Sequence, residues 1–301
     1  MAGPQREPAG LLPLTRQDLI GFMGYGRPLV IVVLMATIVG CSRSEPLTVA
    51  TPLAEERSTL VFPHSQPTAT PTLSPVPSGC EVVPAVMELT CTSPATGLQY
   101  WLYLPPAELR IDGRPPLLLY LHGFSHSGGA LRVVLSGGVP SEIEQGRQLP
   151  MIVVSPQCPT GDNWQYVEMV EKLSTLIDEA AQTYKANPSR VYLTGFSMGG
   201  DGVWALGIAH AEQFAALVPV GSWYRDTEHV CDLRDVPVWV FQGEADEIVR
   251  PTYAKDMVAA LTACGGQVDL TLLPGAGHDR SSLLAYRTDE LYNWLAAQVA
   301  Q

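Results

Sequence analysis

Ser197 lies in the pentapeptide Gly195-Phe-Ser-Met-Gly199, between an apolar run at 191–194 and a helix-like stretch at 198–211. In a strand–turn–helix setting, such glycines let the two backbones approach closely and hold the serine on a strained turn. A hydroxyl presented in this way becomes a nucleophile once a base takes its proton. The pattern therefore predicts nucleophilic catalysis by Ser197; the alternative is that this serine only begins a helix.

Three histidines follow Ser197 in the chain, at positions 210, 229 and 278. In sites of this kind the base comes last, after the nucleophile and the acid. His210 falls within the helix-like stretch, and His229 falls in a polar segment. His278 is predicted to lie in a glycine-rich loop at 275–279, just past the last apolar run, where a strand end would present a base. We predict that His278 is the base.

An acid is needed to hold the His278 tautomer and to stabilise the imidazolium. The apolar run 238–242 leads into a segment that contains Glu244, Asp246 and Glu247. Spacing alone favours Asp246 and leaves both glutamates open.

The oxyanion formed by attack on a carbonyl needs two backbone N–H donors. Met198, the residue after the nucleophile, supplies one. The turn 122–124 is expected to supply the other, from Phe124 rather than from Gly123. The neighbouring His122 is expected to position or pack this turn, not to act as a second base.

These residues need a frame of alternating strands and helices. Strands are predicted at 99–104, 117–122, 151–155, 191–194, 215–220, 238–242 and 268–273. Helices are predicted at 166–186, 198–211, 252–263 and 289–301, the first burying Val167, Val170, Leu173, Leu176, Ile177 and Ala180 as one stripe. Near-continuous apolar strands separated by helices predict an α/β domain with a mostly parallel, doubly wound sheet that has helices on both faces.

The domain resembles the bacterial esterase and predicted-peptidase branch of the α/β hydrolases, which is related to polyhydroxybutyrate depolymerases, feruloyl esterases and prolyl oligopeptidase catalytic domains. The resemblance runs from about residue 99 to the C-terminus. It rests on Leu119-Tyr-Leu-His-Gly123, Ser155-Pro-Gln-Cys-Pro159 with Asn163-Trp164, Val191-Tyr-Leu-Thr-Gly-Phe-Ser-Met-Gly-Gly200, Trp239-Val-Phe-Gln-Gly243 with Asp246, and Gly277-His278. It implies the α/β-hydrolase fold, Asp246 as the triad acid and Trp164 beside the acyl pocket.

Aromatic residues after predicted strand ends lie where open α/β sheets bind ligands. Trp223 and Tyr224 are such residues, and with Trp164 they form the predicted substrate-binding set; ordinary packing is the alternative. The chain departs from the family pattern at Asp201, where an aromatic or small residue is usual. It departs again at Arg280-Ser281, where tryptophan is often found.

The resulting hypothesis is a serine hydrolase that cleaves carboxylic esters, of small molecules or of polymer-linked groups, through an acyl-enzyme on Ser197. The sequence has no metal-ligand cluster and no dinucleotide or phosphate-binding fingerprint, so no metal and no cofactor is expected. One alternative is a serine peptidase of the prolyl oligopeptidase type. Its relatives usually carry a large N-terminal domain, whereas a Pro/Thr/Ser-rich segment precedes residue 80 here. The other is a non-catalytic surface-binding lipoprotein that keeps the fold as a scaffold.

The chain carries 18 basic and 30 acidic side chains, and its net charge of −12 falls within residues 80–301. An acidic domain without a Lys/Arg cluster repels phosphate backbones, so nucleic acid is not an expected partner.

The N-terminal part is predicted to be a targeting segment and not part of the folded domain. An uncharged apolar run at 29–39 follows Arg27 and ends at Gly40-Cys41, which fits a signal peptide and is too short for a comfortable membrane span. Ile38-Val-Gly-Cys41 resembles a bacterial lipobox. Residues 1–41 are therefore expected to direct export, with lipidation at Cys41 anchoring the chain to the outer face of the membrane; a plain membrane anchor is the alternative. Half of residues 42–79 are Pro, Thr or Ser, which predicts a disordered linker before a catalytic domain at 80–301.

With Cys41 lipidated, five cysteines remain, so at least one is unpaired. Cys80 and Cys91 flank one predicted strand and are expected to form a disulfide. Cys158 is expected to be a buried free thiol.

Overall fold

A computed structural model describes residues 79–83, 88–110 and 113–300. The strands in this part of the chain are β1 (Cys80–Val83), β2 (Glu88–Thr92), β3 (Gln99–Tyr103), β4 (Leu117–Leu121), β5 (Ile152–Pro156), β6 (Val191–Phe196), β7 (Ala216–Val220), β8 (Val238–Gly243) and β9 (Val268–Leu273). The α-helices are α1 (Gly138–Glu144), α2 (Val167–Thr183), α3 (Met198–Ala209), α4 (Pro251–Ala263), α5 (His278–Arg287) and α6 (Asp289–Ala297).

All nine strands form one sheet in the order β1-β2-β3-β5-β4-β6-β7-β8-β9. The six strands from β5 to β9 in this order are parallel, and β1, β2 and β3 add an antiparallel edge. Central β4 is buried at every position, as its run of apolar residues predicts for a strand covered on both faces. The crossovers place the carboxyl ends of the parallel strands along one edge, where Ser197 follows β6.

Two apolar clusters cover the two faces of this sheet. On one face, alternate β4 residues such as Leu119 pack with α2, α3 and α4. On the other face, Leu118 and Tyr120 pack with α1, α5 and α6. The predicted doubly wound α/β architecture is therefore confirmed. All seven predicted strands and all four predicted helices are present, with small shifts at their ends.

Three of these strands and α-helices were not predicted, and one residue predicted to be buried is exposed. Strands β1 and β2 pair antiparallel where one strand was expected, and helices α1 and α5 lie in segments that were left unassigned. Val167 was predicted to be buried, but this first residue of α2 is 75% exposed. Met169 is buried in the first turn instead.

Two disulfide bonds link segments in the described part of the chain, one in the first two strands and one near the last two. The expected bridge between Cys80 and Cys91 joins directly opposed residues of β1 and β2. A second bridge, between Cys231 and Cys264, joins the segment before β8 to the end of α4. Cys158 is a buried free cysteine, as expected; burial raises the pKa of its thiol to about 12.

The predicted signal peptide at 1–41, the lipidation site Cys41 and the linker at 42–79, apart from Gly79, lie outside the described residues. Within the described part of the chain, every helix is too short or too polar to cross a bilayer.

Candidate active site

Ser197 occupies a strained turn between β6 and α3. Its backbone has φ 55° and ψ −118°, a conformation that non-glycine residues adopt only where the surrounding structure imposes it. Its N–H donates to Val220 O at 2.9 Å, which fixes the turn against the end of β7. A Cβ atom on Gly195 would lie 2.4 Å from Gly199 O, so the strand and the helix can meet only through glycine. The predicted nucleophile elbow is present.

The structure brings Ser197, His278 and Asp246 together. Ser197 Oγ lies 2.8 Å from His278 Nε2, and His278 Nδ1 lies 2.7 Å from Asp246 Oδ2. The Asp246 side chain is fully buried and that of His278 is 8% exposed, so water competes little for either hydrogen bond. His278 is the first residue of α5, not part of a loop as predicted, and the Phe196 ring packs 4.7 Å from its centroid.

A network of donors holds the Asp246 carboxyl group in place. Its Oδ1 accepts from the backbone N–H groups of Ile248 and Val249 at 2.9 and 2.8 Å, and its Oδ2 accepts from Gln242 Nε2 at 3.2 Å. Gln242 also donates to Val249 O and is completely buried. Sequence reasoning missed Gln242, although a polar residue that closes an apolar strand was a visible signal. Glu244 and Glu247, left open by spacing, are both exposed.

The predicted oxyanion donors flank the nucleophile. Met198 begins α3 and Phe124 begins a 3₁₀ turn (Phe124–His126), so neither N–H has a carbonyl partner within its own helix. A Cβ atom on Gly123 would lie 3.5 Å from Ser197 Cβ, which places this turn against the nucleophile. The Phe124 side chain is 75% exposed.

His122 is a packing and positioning residue, as its place in the sequence suggested. The side chain is completely buried, Nδ1 bonds to Gly123 O at 2.8 Å, and Nε2 accepts from the Cys158 N–H at 3.0 Å. Burial lowers the pKa of His122 to about 4, so the ring is neutral at physiological pH. His122 thereby ties the oxyanion turn to the segment after β5.

Trp164 does not border an open pocket, and the prediction for this residue needs correction. The ring is completely buried in the cluster beneath the sheet edge, 5.1 Å from the His122 ring. Its Nε1 donates to His122 O at 2.9 Å. A substrate cannot contact a ring that has no exposed surface, so Trp164 supports the oxyanion turn from below.

Trp223 and Tyr224 follow β7 at the edge that carries Ser197. The Trp223 side chain is 46% exposed, and Tyr224 is partly buried against the core. The turn that leads to them contains Gly221, whose φ is +57° and whose added Cβ would lie 3.6 Å from His278 Cε1. Of the three predicted substrate-binding residues, Trp223 is therefore the exposed one, and it lies two residues after the glycine that approaches His278.

The other two candidate histidines lie elsewhere. His210 closes α3 and bonds to Glu171 at 3.2 Å, whereas His229 pairs with Asp226 at 2.8 Å in the segment before β8. The described residues contain no cluster of three or more His, Cys, Asp or Glu side chains that could hold a metal ion.

The sheet order, the strained serine turn and the position of the base after the last strand define an α/β-hydrolase-fold protein. Comparison with known families agrees: residues 160–296, which span the elbow, the acid and the histidine, match the model of the dienelactone hydrolase family.

Particular relatives are similar over parts of the chain. Acyl-protein thioesterase 1 of Gibberella zeae is 29% identical over 119 residues, which are 37% of this chain and 49% of that protein. The chain thus matches about half the length of this relative. The crystal structure of a thermostable esterase aligns with a TM-score of 0.58 and 26% identity, over 70% of this chain and 62% of that one. An acetyl xylan esterase from Aspergillus awamori shares the fold, with a TM-score of 0.53 and 13% identity over 69% of this chain and 98% of that one.

Proposed function

We propose that this protein is a serine hydrolase that cleaves carboxylic esters through an acyl-enzyme on Ser197. The observation that carries the proposal is the continuous hydrogen-bonded chain from Ser197 Oγ through His278 to the buried Asp246 carboxyl group. Two similar proteins are named an esterase and a thioesterase, which supports an ester or a thioester as the bond that this protein cleaves. The proposed substrate is an ester of a small molecule or of a polymer-linked group.

The proposed reaction uses each group in turn. His278 Nε2 takes the Ser197 proton as Oγ attacks the ester carbonyl, and the backbone N–H groups of Met198 and Phe124 stabilise the oxyanion. The tetrahedral intermediate then collapses, the C–O bond to the alcohol breaks, and His278 gives its proton to the departing alkoxide. Water repeats the sequence on the acyl-enzyme and releases the acid. Asp246 holds the tautomer that leaves Nε2 free to accept the first proton.

The first experiment separates ester cleavage from the peptidase and the non-catalytic alternatives. We expect the purified full chain to be labelled by a fluorophosphonate probe at Ser197. We also expect it to turn over a 4-nitrophenyl ester at least about a hundredfold faster than a peptide 4-nitroanilide, because amide cleavage requires closer placement of acid and substrate. The measurement is the ratio of the two kcat/KM values. Comparable rates on the two substrates would favour a peptidase, and the absence of labelling and turnover would favour a binding protein.

We further propose that the protein is exported and anchored through a lipid on Cys41. The support is the apolar run at 29–39 ending at Gly40-Cys41 after a single arginine. We expect the mature protein to begin at a lipidated Cys41 and to sediment with membranes, and Cys41→Ser to abolish the lipid. The matched control is Cys158→Ser, which should leave processing unchanged. Intact-mass analysis is the measurement, and a mass that still contains residues 1–40 would refute lipidation in favour of a plain anchor.

A further inference from the structure

A second buried carboxyl group lies close to the nucleophile and is not part of the triad. Asp201 is in the first turn of α3, four residues after Ser197, and is completely buried. Its Oδ1 accepts from Ser222 Oγ at 2.7 Å and from the Trp223 backbone N–H at 2.9 Å. These two bonds connect the helix that begins at the elbow with the segment that follows β7.

Ser222 extends this connection by one more residue. Its Oγ donates to Asp201 and accepts from the Tyr224 N–H at 3.1 Å. The Asp201 carboxyl group therefore binds Ser222 and Trp223 directly and Tyr224 through Ser222. The contact is also close in the backbone, because a Cβ atom on Gly200 would lie 2.9 Å from Ser222 Cβ. The segment Ser222–Tyr224 is therefore held against α3, the helix that begins at the nucleophile elbow.

This segment begins next to the catalytic histidine. It follows Gly221, which lies against His278, and it carries the exposed indole of Trp223. An exposed aromatic ring costs little conformational entropy when it binds a flat apolar group, provided that its backbone is held in place. Asp201 holds that backbone directly, through the Trp223 N–H.

We propose that Asp201 is a positioning residue that fixes Trp223 as a wall of the acyl site and so sets a preference for esters with an aromatic acyl group. The proposal rests on the proposed ester hydrolysis. It extends the predicted roles of Trp223 and Tyr224 to a residue that departs from the pattern of similar proteins.

The protonation state of Asp201 gives the proposal a distinctive signature. Burial raises the pKa of this carboxyl group to about 7, while the bonds from Ser222 and Trp223 and the charge of Arg225 oppose the rise. Tyr224 is the other titratable group facing it, and burial raises its pKa to about 12, so it stays neutral. The ionised form of Asp201 accepts stronger hydrogen bonds than the neutral form. The segment is therefore held more firmly above pH 7 than below it.

The test compares kcat/KM for 4-nitrophenyl benzoate and 4-nitrophenyl acetate between pH 5.5 and 8.5 in the full chain. Dividing the two values removes any pH dependence of the catalytic steps that both esters share. In the wild type we expect the benzoate-to-acetate ratio to rise through pH 7. Asp201→Asn keeps an acceptor without the charge and should give a flat ratio near the low-pH value. Asp201→Ala should lower the ratio about tenfold, mainly through KM for benzoate, because two hydrogen bonds are lost.

Two further variants keep the proposal testable even if Asp201→Ala does not fold. Trp223→Leu should lower the ratio and remove its pH dependence even if Asp201→Ala does not fold. Asp226→Asn changes a partly exposed carboxyl group that pairs with His229 in the next segment; it is the matched control and should behave as wild type. An unchanged ratio in Trp223→Leu, or equal losses on both esters in Asp201→Ala, would overturn the proposal. Failure of ester hydrolysis itself is distinguishable, because the wild type would then turn over neither ester.

Discussion

Ser197→Ala and His278→Ala are each expected to lower kcat for a 4-nitrophenyl ester by a factor on the order of 10⁵ to 10⁶. Ser197→Ala removes the oxygen that becomes acylated, and His278→Ala removes the imidazole that lies 2.8 Å from that oxygen and takes its proton. Because the two residues act as a unit, the double variant should be hardly worse than either single one. Thermal unfolding should show that all three variants remain folded.

The acid is tested by matched carboxyl-to-amide changes within one segment. Asp246→Asn should cost up to about 10⁴-fold in kcat, because the amide favours the wrong tautomer of His278. Glu244→Gln and Glu247→Gln are the controls, since both side chains are exposed, and they should retain wild-type turnover. Near-wild-type turnover in Ser197→Ala would end the assignment of the nucleophile. A greater loss from either glutamate variant than from Asp246→Asn would end that of the acid.

The triad could be predicted because its signals are local. Gly195 and Gly199 mark a turn that only glycine permits, and His278 follows the last strand of the sheet. The choice among Glu244, Asp246 and Glu247 was less local, since it depends on which side chain turns inward. Burial of Asp246 under the Ile248 and Val249 N–H groups makes that choice, and no spacing rule contains it.

The supporting residues could not be predicted for a related reason. Trp164 was expected beside the substrate, because an aromatic residue after a strand suits either a pocket or the core. In the structure the Trp164 ring packs against His122 and belongs to the core. Asp201 was visible only as a departure from a family pattern, since its partners Ser222 and Trp223 are more than 20 residues away. One strand was predicted where β1 and β2 form an antiparallel pair, because two such short segments do not show in sequence that they pair with each other.

Gly199 couples the packing of the fold to the geometry of the active site, because the helix after the nucleophile crosses the end of β4 at this residue. A Cβ atom at this position would lie 1.9 Å from Leu121 O and 2.9 Å from His122 O. Both are backbone atoms, so no side-chain rotation can relieve the overlap. The helix start, which carries the Met198 N–H, must then move away from the turn that carries the Phe124 N–H.

Gly199→Ala is therefore expected to lower both stability and catalysis. Forcing this contact should cost about 3 kcal/mol of unfolding free energy, at the upper end of the range for overpacked sites. Separating the two oxyanion donors by about 1 Å should lower kcat about a hundredfold in the molecules that remain folded. Chemical denaturation gives the first quantity, and turnover normalised to fluorophosphonate-labelled protein gives the second. Gly277→Ala is the matched control, because Gly277 is also next to a triad residue, yet its added Cβ would approach nothing closer than Ala245 O at 3.8 Å. If Gly199→Ala behaves like this control in both measurements, the close contact between α3 and β4 does not position the oxyanion donors.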